Sequence, residues 1–159
     1  MIQNAAHLHL LLNHLPPVGV LIGFCLLIAG MIARSRALRA GALGIFIACG
    51  VLVIPTNLSG EEAEHVVEGL PGVTEGWIEH HEEMAEVALI LTIVLAIASV
   101  ATLIAEAKSP RVTKPMLAAV LIIAFVDVGV LMITAHRGGL IRHTEIRGDT
   151  AVAQELGHD

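Results

Sequence analysis

The sequence predicts an all-α membrane protein, a transmembrane up-down four-helix bundle with a short outer-side amphipathic helix. Three observations carry that reading. The 159 residues are 55% hydrophobic and only 15% charged, against about 25% charged in a typical soluble domain. The apolar residues fall into four blocks, and the charges sit between the blocks. Each block has about the 17–25 residues that a spanning helix needs. Such a composition excludes a disordered chain, a nucleic-acid binder and an ordinary soluble α/β enzyme. The length suits one integral membrane domain over 1–159.

The blocks follow in order. The first span, 16–33, is free of charge, and Pro16 and Pro17 suit its first turn. Before it, His7, Leu11 and His14 line one face of a short amphipathic segment. The second span, 38–57, carries only Arg39, and Pro55 predicts a bent or short last turn. Next comes an outer connection, 58–86. Ser59 with Glu62 resembles a capping box, and Gly69 and Pro71 are stop signals, so 60–68 is expected to be a separate surface helix. The third helix is expected to start at Thr74 and place Trp77 at the headgroup level, with its span at 87–105. The fourth span, 115–135, holds one charge, Asp127. His136 is expected to close it, with Arg137-Gly138-Gly139 breaking the helix ahead of an outer tail, 136–159.

Orientation is expected from the basic residues. Arg34, Arg36 and Arg39 lie between the first two spans, and Lys108, Arg111 and Lys114 lie between the last two. The positive-inside rule puts both loops in the cytoplasm. The expected location is therefore a bacterial inner membrane, crossed several times, with both termini outside. The first 33 residues lack the Lys or Arg of a signal peptide's n-region. Cys25 and Cys49 sit in apolar runs and read as small buried residues. No internal repeat is evident.

On this topology all nine histidines lie outside, as do the nine acids between Glu61 and Glu86. His14, His81, His136 and His143 come from helix ends at one face, which neighbour each other in an up-down bundle. Ligands converging from separate elements are what a haem or metal site needs, so these four are the expected cofactor-binding residues. Below His81 on the same face come Ala85, Ala88, Thr92, Ala96 and Ser99. Such a stripe admits either a close helix or a flat cofactor. A second candidate set, Glu61, Glu62, His65, His81 and Glu82, includes a Glu-x-x-His spacing seen in carboxylate-bridged metal sites. Mixed imidazole and carboxylate ligands suit zinc, iron or manganese. Asp127 lies beyond mid-membrane with no basic partner in its span. It is expected to be protonated, bound to a hydroxyl such as Thr134 or Thr92, or paired with another subunit, and to serve either a proton path or an intersubunit contact.

The run His9-Leu-Leu-Leu-Asn-His14-Leu-Pro16 resembles the opening of an uncharacterised bacterial four-helix inner-membrane family, whose members show His-Pro and His-Phe-Pro at the same His spacing. Ile78-Glu-His80-His81-Glu82 is similar to the opening of that family's third helix. Gly138-Gly139-Leu-Ile-Arg142-His143 is similar to its Gly-Gly and Arg-His ending. This chain has Leu after His9 where the family has Pro. The family is similar in layout to small membrane b-type cytochromes, and the resemblance implies haem b. The leading expectation is therefore a membrane electron-transfer subunit, with His14 and His81 as axial ligands. It would pass electrons between a quinone and a membrane or periplasmic protein partner. The alternatives are a non-haem metal-binding membrane protein and a cofactor-free accessory subunit of a larger complex. No Gly-x-Gly-x-x-Gly, Walker or Cys-x-x-Cys pattern occurs, and no nucleic-acid partner is expected.

Overall fold

A computed structural model describes residues 4–143 and Arg147. Helix α1 spans Ala5–Leu12, α2 Leu15–Ile32, α3 Arg36–Val67, α4 Glu75–Lys108 and α5 Pro110–Arg142. Each long helix packs against the next, and α2 closes the ring against α5. The result is an all-helical up-down four-helix bundle. Four helical stretches, one of them joining α1 to α2, are long and apolar enough to cross a membrane. The core is Val20 and Leu27 of α2, Leu43 and Phe46 of α3, Leu95 of α4, and Val120 and Ala124 of α5. Many other large apolar side chains, including Ile32, Ile97, Ile122 and Phe125, point outward. In water that surface would be a liability. Against lipid it is the expected exterior.

Small residues let the helices meet. A Cβ at Gly23 would lie 2.6 Å from the Phe46 ring, and one at Gly50 would overlap the Ala96 methyl. The small-residue stripe on α4 is therefore covered, from Thr92 to Ala96, by close approach of α3.

The two ends of the bundle differ. At the arginine end the connections are tight. Arg34 adopts φ 51° between α2 and α3, and Ser35 N–H reaches back to Gly30 C=O at 3.0 Å, a Schellman-type close. Ser35 then caps α3 through Leu38 N–H. Arg39 Nε donates to Glu106 Oε1 at 2.7 Å, joining the start of α3 to the end of α4.

At the histidine end the helices run on past their apolar blocks. Helix α4 has 34 residues, so at 1.5 Å per residue it is about 51 Å long. That is well over the ~30 Å of a hydrocarbon core, so the turns before Val87 stand beyond it. Two expected breaks are absent. Residues 60–68 are not a separate helix, because α3 continues unbroken to Val67 through Pro55. A proline removes one backbone donor, which spanning helices tolerate when neighbours support them. Ser59 is no cap either; it is buried, and its hydroxyl donates to Thr56 C=O. Likewise α5 does not end at His136 but runs through Gly138 and Gly139 to Arg142. Other boundaries agree with expectation: Pro16 and Pro17 open α2, and Thr74 is the N-cap position of α4.

Candidate functional site: two cradled histidines

Two histidines turn into the bundle at this end, and both are held in the same way. His9, on α1, places Nδ1 3.0 Å from Thr56 C=O of α3. His81, on α4, places Nδ1 3.0 Å from Thr134 C=O of α5. A carbonyl can only accept, so in each ring Nδ1 carries the hydrogen and Nε2 carries the lone pair. Four residues beyond each threonine is a glycine that makes room for the ring. A Cβ at Gly60 would lie 3.1 Å from His9 Cε1, and one at Gly138 would lie 2.9 Å from His81 Cε1. The motif Thr-x-x-x-Gly with an incoming histidine thus occurs twice, once in each helical hairpin.

Further bonds fix the cradles. Thr134 Oγ1 donates towards Val130 C=O and Met84 C=O, and Thr56 Oγ1 donates to Leu52 C=O. Arg137 donates to His80 C=O at 2.8 Å. Arg147 lies 5.2 Å over the Trp77 ring and donates to Gly72, Leu140 and Ile141 carbonyls. At the C-cap of α1, four residues after His9, Asn13 Oδ1 is buried with no hydrogen-bond partner among the described residues.

Burial holds both imidazoles below the ordinary histidine range, against the opposing effect of the threonine carbonyls. His81 is depressed further by His9 and Arg137, so the two rings are close enough to sense each other's charge. Both are neutral at pH 7, with Nε2 unprotonated. Beside His81, the Glu82 carboxyl is pushed up to about 7 by partial burial, by a hydrogen bond with Glu64 and by the charges of Glu64, Glu61 and Glu79.

The structure distributes the expected site residues unevenly. Of the four expected cofactor histidines, only His81 turns inward. His14, at the N-cap of α2, His136 and His143, at the C-cap of α5, have exposed side chains. His9, outside the expected set, takes the second inward position. Of the expected metal set, Glu61 lies near Glu82 and accepts from Asn57. Glu62 and His65 sit on the exposed side of α3, His65 4.0 Å from Glu68. Among the described residues no group of three or more His, Cys, Asp or Glu is arranged to hold a metal ion. Glu145 and His158 lie outside the described residues. The signal for His9 was present in the chain: Thr56-Asn-Leu-Ser-Gly60 and Thr134-Ala-His-Arg-Gly138 share a pattern, each at the far end of a span.

Asp127 is fully buried within the chain, with Thr92 Oγ1 3.1 Å from each carboxyl oxygen. It takes the Thr92 partner rather than Thr134.

Comparison with protein-family models, with curated proteins and with solved structures gives no match.

Proposed function

We propose that the protein is a membrane electron-transfer subunit of the b-type cytochrome kind, in which His9 and His81 hold one haem at the outer face. The observation that carries this is the paired cradle. Ligating histidines characteristically donate their other ring N–H to a carbonyl, which sets the tautomer and orients the ring. Both inward histidines have that arrangement, and both leave Nε2 as a neutral donor.

Ligand number favours haem over a bare metal ion. A porphyrin supplies four nitrogens, so two protein ligands suffice. A zinc, iron or manganese ion needs three or more, which the described residues do not assemble. The unpaired Asn13 Oδ1 beside His9 adds a polar group suited to a ligand edge. The α4 stripe fits less well, because α3 fills it from Thr92 downward. Any cofactor site therefore belongs above that level, between the cradles.

Bound haem would supply a one-electron couple whose potential depends on its axial ligands and their burial. The chain's own part is to hold two rings at fixed tautomers and to keep them neutral. The lipid-facing surface would admit a quinone. The acidic outer surface around Glu61, Glu64, Glu79 and Glu82 would dock a basic periplasmic partner. Both rest on the orientation expected from the arginine-rich loops.

The test is a reduced-minus-oxidised visible spectrum of the protein purified after expression with ample haem. A stoichiometric b-type spectrum is expected. Its absence from well-folded protein overturns the reading.

A further inference from the structure

A second polar site lies deep in the bundle, and the outer histidines do not involve it. Most hydroxyls within these helices bond back to their own helix, Ser59 to the carbonyl three residues earlier. Thr56, Ser99, Thr102, Thr113 and Thr134 all donate to the carbonyl four residues earlier. Such back-bonding satisfies a hydroxyl where no water is present. Thr92 does otherwise. It has no solvent exposure, and its Oγ1 lies 3.1 Å from both Oδ1 and Oδ2 of Asp127.

A hydroxyl has one hydrogen to give. Thr92 shares that hydrogen between the two carboxyl oxygens. One neutral donor is thin support for a buried carboxylate, and burial favours the protonated acid. The surroundings agree. The α4 block 87–105 has no titratable residue, and the α5 block 115–135 has none except Asp127 itself. On α3 the titratable neighbour is the Cys49 thiol, which senses Asp127; Arg39 lies at the far end, bound to Glu106. On α2 the one titratable group in the span, Cys25, is exposed. Among the described residues no cation faces the carboxyl, and an unpaired buried carboxylate is far costlier than a neutral acid.

We propose that the Thr92–Asp127 pair is a proton-binding site within the membrane, which takes up and releases a proton from the aqueous phase. Polar groups extend from it along the helix interface. Thr134 is seven residues along α5 on the same face, about 10 Å away at 1.5 Å per residue. His81 is cradled by that threonine's carbonyl. Asp127 thus sits below the histidine site on one continuous α4–α5 seam.

The site is read by infrared spectroscopy of the full chain in lipid, which requires no cofactor. At neutral pH the wild type should show the carbonyl stretch of a protonated acid that disappears in Asp127→Asn. The band should move on transfer to D2O, and it should shift in Thr92→Val while Thr92→Ser preserves it. A hydrophobic carbodiimide supplies an independent chemical reading. The acid adds its O–H across a C=N bond, and the acylisourea rearranges to a stable acylurea on Asp127, with no atom lost. Mass spectrometry should find that adduct in the wild type. Asp127→Asn keeps the shape and the hydrogen bond to Thr92, so its fold is checked by its helical circular dichroism. Absence of an Asp127 band at neutral pH overturns the proposal. So does a band that ignores D2O, which would mark a sealed structural acid.

Discussion

The arginine end and the histidine end of this bundle solve different problems. At the arginine end the chain turns in a few residues, a left-handed residue closes α2, and one ion pair ties α3 to α4. Glu106 is 4% exposed and Arg39 18%, so the pair is desolvated and its partners depend on each other. At the histidine end the helices extend beyond the apolar blocks. Rings are held there by carbonyls and fitted against glycines. The first arrangement resists separation of the helices. The second presents two neutral nitrogen donors in fixed orientations, which adds little to stability. The ion pair and the proposed ligand pair thus lie at opposite ends of one axis, and each should be open to perturbation without the other.

The largest effects should divide by end. His81→Ala and His9→Ala should each abolish the haem spectrum with little change in unfolding temperature, whereas His14→Ala, His136→Ala and His143→Ala should leave it intact. Spectra of the five variants check this. Conversely, Arg39→Ala leaves Glu106 buried without its partner and should cost about 3–5 kcal/mol. That cost is read by reversible unfolding in mixed micelles, and the spectrum of the folded fraction should not change. If Arg39→Ala altered the spectrum as much as His81→Ala, the division between the ends would fail.

The glycine cradles should respond in order of their spacing. Gly138→Ala places a methyl 2.9 Å from His81, and Gly60→Ala places one 3.1 Å from His9. Each ring must move, so ligation should weaken in both variants, more in the first. Gain of helix propensity, up to about 1 kcal/mol, opposes any loss of stability. Haem retention during dialysis ranks the two.

A smaller effect concerns pH. The Glu82 carboxyl is raised in the folded protein, from 4.5 to about 7. Between those values the folded state binds more protons than the unfolded one, so this group makes stability fall as pH rises. His81 is depressed and acts in the opposite sense: its contribution is lost as pH falls below 6.5. Glu82→Gln should remove the fall in stability between pH 4.5 and about 7 and leave the loss from His81 below pH 6.5, as seen in unfolding temperature against pH. The smallest effect is expected at Arg34, whose φ is 51°. Arg34→Gly relieves a left-handed residue and should stabilise by about 1 kcal/mol, with no effect at the histidine end.

Much of this was legible in the sequence. Four nearly charge-free blocks determine four helices, because a backbone in lipid must bond to itself. The level of each polar residue along the axis follows from counting. Helix ends were less legible. Pro55 and Gly138-Gly139 are stop signals in water, but tertiary contacts carry the helices through them, and the Gly138 gap is filled by the His81 ring. Least legible was rotation about each axis. His9 and His14 lie five residues apart, yet α1 turns His9 towards Thr56 while His14 is exposed. Hydropathy could not supply that phase, because α1 is apolar on several sides. A repeated Thr-x-x-x-Gly was the available clue. Asp127 was more legible: burial without a cation already called for a hydroxyl partner, and α4 offered Thr92 at matching depth.

Electron paramagnetic resonance of the oxidised, haem-loaded protein reads whether His9 and His81 form a matched ligand pair. The wild type should give a low-spin signal from two imidazoles. Either His9→Ala or His81→Ala should convert it to high-spin or remove it. A low-spin signal that survives both substitutions, yet is lost in His14→Ala, would contradict that pairing.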